Sequence, residues 1–102
     1  VLFLGDLWEQ GGRKLLAGPY RDRLPSDYVQ MAHHGNCGPA KDVYEAIHPK
    51  YCLWPTTWWV WDNNNGTGVN TADMHTFMVR KWMVDLHVLR HYVAFHGLAK
   101  IQ

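Results

Sequence analysis

Tyr28-Val29-Gln30-Met31-Ala32-His33-His34-Gly35-Asn36 is the stretch that decides how this chain reads. Its first five residues have the content of a buried strand, and the last four form a polar, glycine-bearing turn. A run of the same kind lies upstream, where Val1-Leu2-Phe3-Leu4 ends in Gly5-Asp6. A third follows at Tyr51-Cys52-Leu53-Trp54, closed by Pro55. Helical patterns separate the three. Leu7 to Ala17 reads as a helix interrupted by Gly11-Gly12, so the stronger signal is Arg13 to Ala17, stopped by Gly18-Pro19. Tyr20 to Ser26 is a charged loop. Pro39 suits a first helical turn, and Ala40 to Ile47 completes that helix with Val43, Ala46 and Ile47 on one face.

Downstream the pattern changes. Thr56 to Asn70 holds Trp58, Trp59 and Trp61 and then Asp62-Asn63-Asn64-Asn65-Gly66, and reads as a long loop. Loops of that length are uncommon unless they are functional or disordered. Thr71 is the expected N-cap of a helix from Ala72 to Leu86, with Met74, Phe77, Met78, Trp82 and Leu86 as its apolar stripe. Val88 to Phe95 and Leu98 to Ile101 are expected strands joined at His96-Gly97. Strands alternating with helices predict an α/β layered fold for residues 1–102.

The chain has 102 residues and a net charge of +1, which gives no argument for a nucleic-acid or membrane-surface partner. A hydrophobic share of 47% argues against disorder, and six Trp need a core or a cleft to sit in. Two cysteines make no disulfide framework and suggest a reducing compartment, so the expected location is cytoplasmic. Val1-Leu2-Phe3-Leu4 is too short and lacks the basic flank of a signal peptide. A chain that begins inside a core strand without Met is expected to be a segment of a longer protein.

In layered α/β proteins, ligand groups gather at the carboxyl ends of strands. Asp6 and the His33-His34 pair are expected there, and carboxylate and imidazole both suit zinc. The same residues have a plain structural reading. Asp after Gly often caps the next helix, and a His pair in a turn is often solvated.

The combination Leu4-Gly5-Asp6-Leu7, Asp27 to Asn36, and Ile47-His48-Pro49-Lys50-Tyr51-Cys52-Leu53-Trp54-Pro55 resembles the metallo-β-lactamase superfamily. It is most similar to the branch that holds the hydrolase domain of bacterial DNA-uptake channel proteins. The likeness covers Val1 to Pro55, extends more loosely through Lys81 to Gln102, and leaves the Trp-rich segment without a counterpart. It implies half of an αββα sandwich whose complete site binds two divalent ions, usually zinc. Asp6 would bridge them, and one of His33 and His34 would ligate the second ion. The residue directly before Gly, His34, matches the His-Gly of other branches. The implied reaction is attack of an activated water on a phosphodiester or other ester.

The family's H-x-H-x-D-H motif is absent from this chain. Two ligands fall short of the three that a catalytic zinc takes from protein. The chain alone is therefore expected to bind metal weakly, to hydrolyse nothing usefully, and to associate with the missing N-terminal half or with itself. Trp58, Trp59 and Asn63 are the expected substrate contacts, beside a reading of the tryptophans as core. A non-catalytic binding or structural module on the same scaffold is the alternative. His75 reads as a solvated or partly buried structural residue, His48, His87 and His91 as surface or strand-edge residues, His96 as a turn residue, and Cys37 as a small turn or core thiol.

Overall fold

The computed structural model describes residues 1–97. Four strands, β1 (Leu2–Phe3), β2 (Tyr28–Gln30), β3 (Tyr51–Trp54) and β4 (Arg90–Val93), form one parallel sheet in the order β1-β2-β3-β4. Between them lie α1 (Glu9–Ala17), α2 (Lys41–Ile47), the short α3 (Trp58–Trp61) and α4 (Thr76–Asp85). The α/β class expected from the sequence is the observed one. The expected strand from Leu98 to Ile101 lies outside the described residues.

Parallel neighbours need crossovers, and right-handed crossovers that all step one way put their helices on one face. The register shows which face. Leu2, Val29, Cys52 and His91 lie across one row, and Phe3, Gln30, Leu53 and Tyr92 across the next. Side chains alternate along strands, so the two rows point oppositely. Val29 and Cys52 are fully buried in one cluster with Leu16, Val43, Ile47, Val79 and Met83 from the helices. On the other face Phe3 is 73% exposed. There Tyr28 stacks on Tyr51 with ring centroids 4.8 Å apart. Among the described residues the sheet thus has one covered face and one open face, and the open one is rich in aromatic and apolar groups.

Four elements differ from what the sequence predicts. The strand expected over Val88 to Phe95 is confined to Arg90–Val93, and Ala94–His96 winds into a 3-10 turn before Gly97. Helix α1 runs unbroken through Gly11-Gly12. A Cβ on Gly12 would stand 3.0 Å from Pro39 Cβ and 3.0 Å from Val43 Cγ2, so the glycine lets α1 approach α2. The Trp-rich segment is not wholly loop, because Trp58–Trp61 winds into α3. Thr71 caps no helix, and α4 starts at Thr76 behind His75. The Thr71 hydroxyl instead donates to Gly68 O at 2.7 Å. Met74 therefore precedes α4, whose buried positions are Thr76, Val79 and Met83, while Met78 faces outward. Among the described residues no helix is long and apolar enough to cross a membrane.

Candidate metal site at the carboxyl edge of the sheet

The ends of β1, β2 and β3 meet through a short list of bonds. Gln30, the last residue of β2, accepts from Leu4 N at 3.0 Å and from Gly5 N at 2.9 Å through Oε1. Its Nε2 donates to Met31 O. His33 N donates to Gly5 O at 2.8 Å. These contacts pin the exit of β1 against the turn after β2, and so bring Asp6 beside the His33-His34 pair. His34 Nε2 lies 3.9 Å from Asp6 Oδ1, and both side chains are largely exposed.

The tautomer of His34 follows from its other nitrogen. Nδ1 stands 2.9 Å from Pro55 O. A carbonyl only accepts, so Nδ1 carries a proton, and in the neutral ring the lone pair is therefore on Nε2. That lone pair is on the nitrogen nearer Asp6. Two atoms bound to one tetrahedral ion stand roughly 3.4 Å apart, given bonds of ~2.1 Å. The observed separation is slightly longer than that. His33 is held differently, with Nδ1 bonded to Asn36 Oδ1 and its ring against Trp8, centroids 4.6 Å apart.

The backbone of the turn is strained. His33, His34 and Gly35 have φ of 50°, 59° and 83°, all left-handed. Such conformations cost about 1 kcal/mol or more for each residue bearing a Cβ, and they concentrate at functional sites. Gly35 has a second reason to be glycine: a Cβ there would lie 2.2 Å from the Trp54 ring. The turn is closed from β3, where Thr56 Oγ1 donates to His34 O at 2.6 Å. From below, the buried Tyr44 hydroxyl accepts from Ala32 N at 3.2 Å.

The expected substrate residues divide. Trp58 and Trp59 are 54% and 47% exposed on α3, which packs against the turn Ala32–Gly35. Trp61 instead faces inward, edge-on to Trp54 at 5.0 Å, with the Arg80 guanidinium 4.1 Å above its ring. Asn63 is 4% exposed. Its Nδ2 donates to Asn70 Oδ1 and Ala72 O, both at 2.8 Å, and its Oδ1 accepts from Met74 N at 3.1 Å. That side chain is a loop clip, and contact with substrate would require breaking those bonds. Cys37 donates to Met74 O at 3.2 Å, and burial pushes its thiol up, which suits the structural reading.

Two site features escape a sequence reading. Pro55 supplies a backbone carbonyl, which no side-chain motif reports. Trp8 packs on His33, and its only signal is an aromatic residue two places after Gly5-Asp6. Among the described residues, no three or more His, Cys, Asp and Glu converge to hold an ion. Asp6 and His34 thus suit a divalent metal in kind and fall short of a full set in number. No family model, curated protein or solved structure matches the chain.

Proposed function

We propose that this chain is the C-terminal part of a metal-dependent hydrolase of the metallo-β-lactamase fold, acting on a phosphodiester or other ester. The observation that carries the reading is the His34 imidazole. Its Nδ1 donates to Pro55 O, and its Nε2 is 3.9 Å from the Asp6 carboxylate. Metal-ligating histidines are commonly oriented in this way, through the nitrogen that does not bind the ion. The strained turn at the strand ends supports the same reading.

Asp6 and His34 would be among the residues that hold the divalent ions. The ions, when bound, supply Lewis-acid activation of water and of the ester. The Pro55 carbonyl fixes the His34 tautomer and ring orientation. His33, held by Asn36 and Trp8, keeps Nε2 for a hydrogen bond to the substrate. The exposed faces of Trp58 and Trp59 flank the substrate on the β3 side. The remaining ligands come from the other half of the sandwich, whose sheet covers the open face carrying Phe3, Leu53 and Tyr92.

Calorimetric titration of the chain with zinc tests this. Weak binding is expected, poorer than micromolar, and reduced about tenfold or more by Asp6→Asn and by His34→Ala. Sub-micromolar affinity in the unaltered chain would overturn the half-site. Equal affinity in the Asp6→Asn/His34→Ala double variant would overturn the ligand assignment.

A further inference from the structure

Behind Trp8 lies a cavity of about 380 Å³ between the starts of α1, α2 and α4. Trp8, Pro39, Met78, Val79 and Trp82 give it apolar walls. The polar side chains among its lining are His75 and Glu9, beside the thiol of Cys37. His75 is held by Asp73, with Nε2 3.1 Å from Oδ1. The cavity adjoins the strained turn in two ways. Cys37 and Gly38, which line it, follow that turn after a single intervening residue, Asn36. Trp8, another lining residue, packs on the His33 ring at 4.6 Å, and that ring lies 6.1 Å from the His34 ring. The cavity wall is therefore within two ring spacings of the nitrogen proposed to hold metal.

Size and charge restrict what fits. The space opens to solvent and has room for a group of about two fused rings, since a sealed cavity of about 150 Å³ already holds one benzene. Glu9 lines the cavity and, among the described residues, no Lys or Arg does, which disfavours an anionic occupant. Walls of two indoles, a proline ring and a methionine favour a flat apolar one. Trp8 is 52% exposed and Met78 43%, so apolar surface at this cavity stands in water until something covers it.

We infer that this cavity binds the flat, uncharged aromatic group of an ester substrate, whose reacting group then lies against Asp6 and His34. The inference rests on the proposed hydrolase reading for the position of the reacting group. Ring binding itself needs no metal, so the two are separable. The probe is 1-naphthol, added to the metal-free chain carrying ¹³C-methyl methionine. The Met78 methyl resonance is expected to shift in a saturable manner while those of the buried Met31 and Met83 stay in place. Met78→Glu is expected to weaken binding about tenfold or more, by placing a charge in the apolar wall. Trp8→Ala, at an exposed position, is a second variant expected to weaken it. Phe3→Ser, on the open sheet face, is expected to leave it unchanged. A Met78 methyl that does not move overturns the inference, as does an equal loss from Phe3→Ser. Zinc binding lost in His34→Ala with no naphthol binding would sink the inference and spare the hydrolase reading. Naphthol binding with zinc affinity indifferent to Asp6 and His34 would do the reverse.

Discussion

At the scale of single residues, the site is a trade of backbone strain for side-chain position. His34 sits at φ 59°, ψ 18°, a region that costs an L-residue about 1 kcal/mol and glycine nothing. Comparing two variants isolates that cost, because His34→Gly and His34→Ala lose the same ring and the same bond to Pro55 O. His34→Gly is expected to unfold at higher denaturant than His34→Ala, by about 1 kcal/mol, although glycine is the more flexible residue when unfolded. Equal stabilities in chemical denaturation would show that the turn is not strained. His91 makes a second residue-scale case. Trp54 Nε1 donates to its Nδ1 at 2.9 Å, so the ring is neutral in the fold. Burial, with a smaller contribution from Arg80, lowers its pKa below the ordinary 6.5. Below that value the unfolded chain binds more protons than the folded one, so stability falls as pH falls. The contribution is fully present above 6.5 and is lost toward the depressed folded value. Thermal unfolding between pH 7 and pH 5 is expected to show this slope. His91→Gln, which keeps an acceptor for the indole, is expected to flatten it, and an unchanged slope would assign the effect elsewhere.

At the scale of elements, Asn63 decides where α4 begins. By gripping Ala72 O and Met74 N it holds residues 72–74 out of helical geometry. Asn63→Ala strands two groups on half-buried residues, Ala72 O and Met74 N, and is expected to cost roughly 2–4 kcal/mol. Asn64→Ala removes one exposed bond, to Gly66 N, and one half-buried bond, to Gly68 N, and is expected to cost about 1 kcal/mol or less. Similar midpoints for the two in urea unfolding would contradict the clip. The same asparagine explains why the sequence reading set this helix too early. Thr71 has a good capping side chain, and a long-range side-chain clip leaves no local trace. Gly11-Gly12 misleads for a related reason, since its effect depends on Pro39 and Val43 from another element. The strands β1, β2 and β3 were legible because each is a short apolar run with a clear stop. Asp6 and His34 were legible because they stand at those stops. Pro55 and Trp8 were not, because one acts through backbone and the other through a ring contact that only the folded turn creates.

At the scale of the whole molecule, the asymmetry of the sheet has a consequence in solution. Its helix-facing row is closed, with Val29 and Cys52 wholly buried. Its other row leaves Phe3 73% exposed, with Leu53 and Tyr92 half-buried and the Tyr28–Tyr51 stack beside them. Apolar area removed from water is worth about 25 cal/mol per Å². A contiguous patch on a parallel sheet is therefore a strong site for association, since such sheets are normally covered on both faces. The isolated chain is expected to self-associate through this face. Sedimentation velocity should show a concentration-dependent species heavier than the 11.9 kDa chain. Phe3→Asp changes an exposed residue, so the fold should be retained with little loss of stability. The charge it places on the open face should shift the distribution toward monomer, with the far-ultraviolet circular dichroism spectrum unchanged. Val84→Asp, an equally conservative test on the exposed side of α4, should leave association as it was. A compact monomer at all concentrations would mean that the open face needs no cover, and would remove the main physical reason for expecting a second sheet above it.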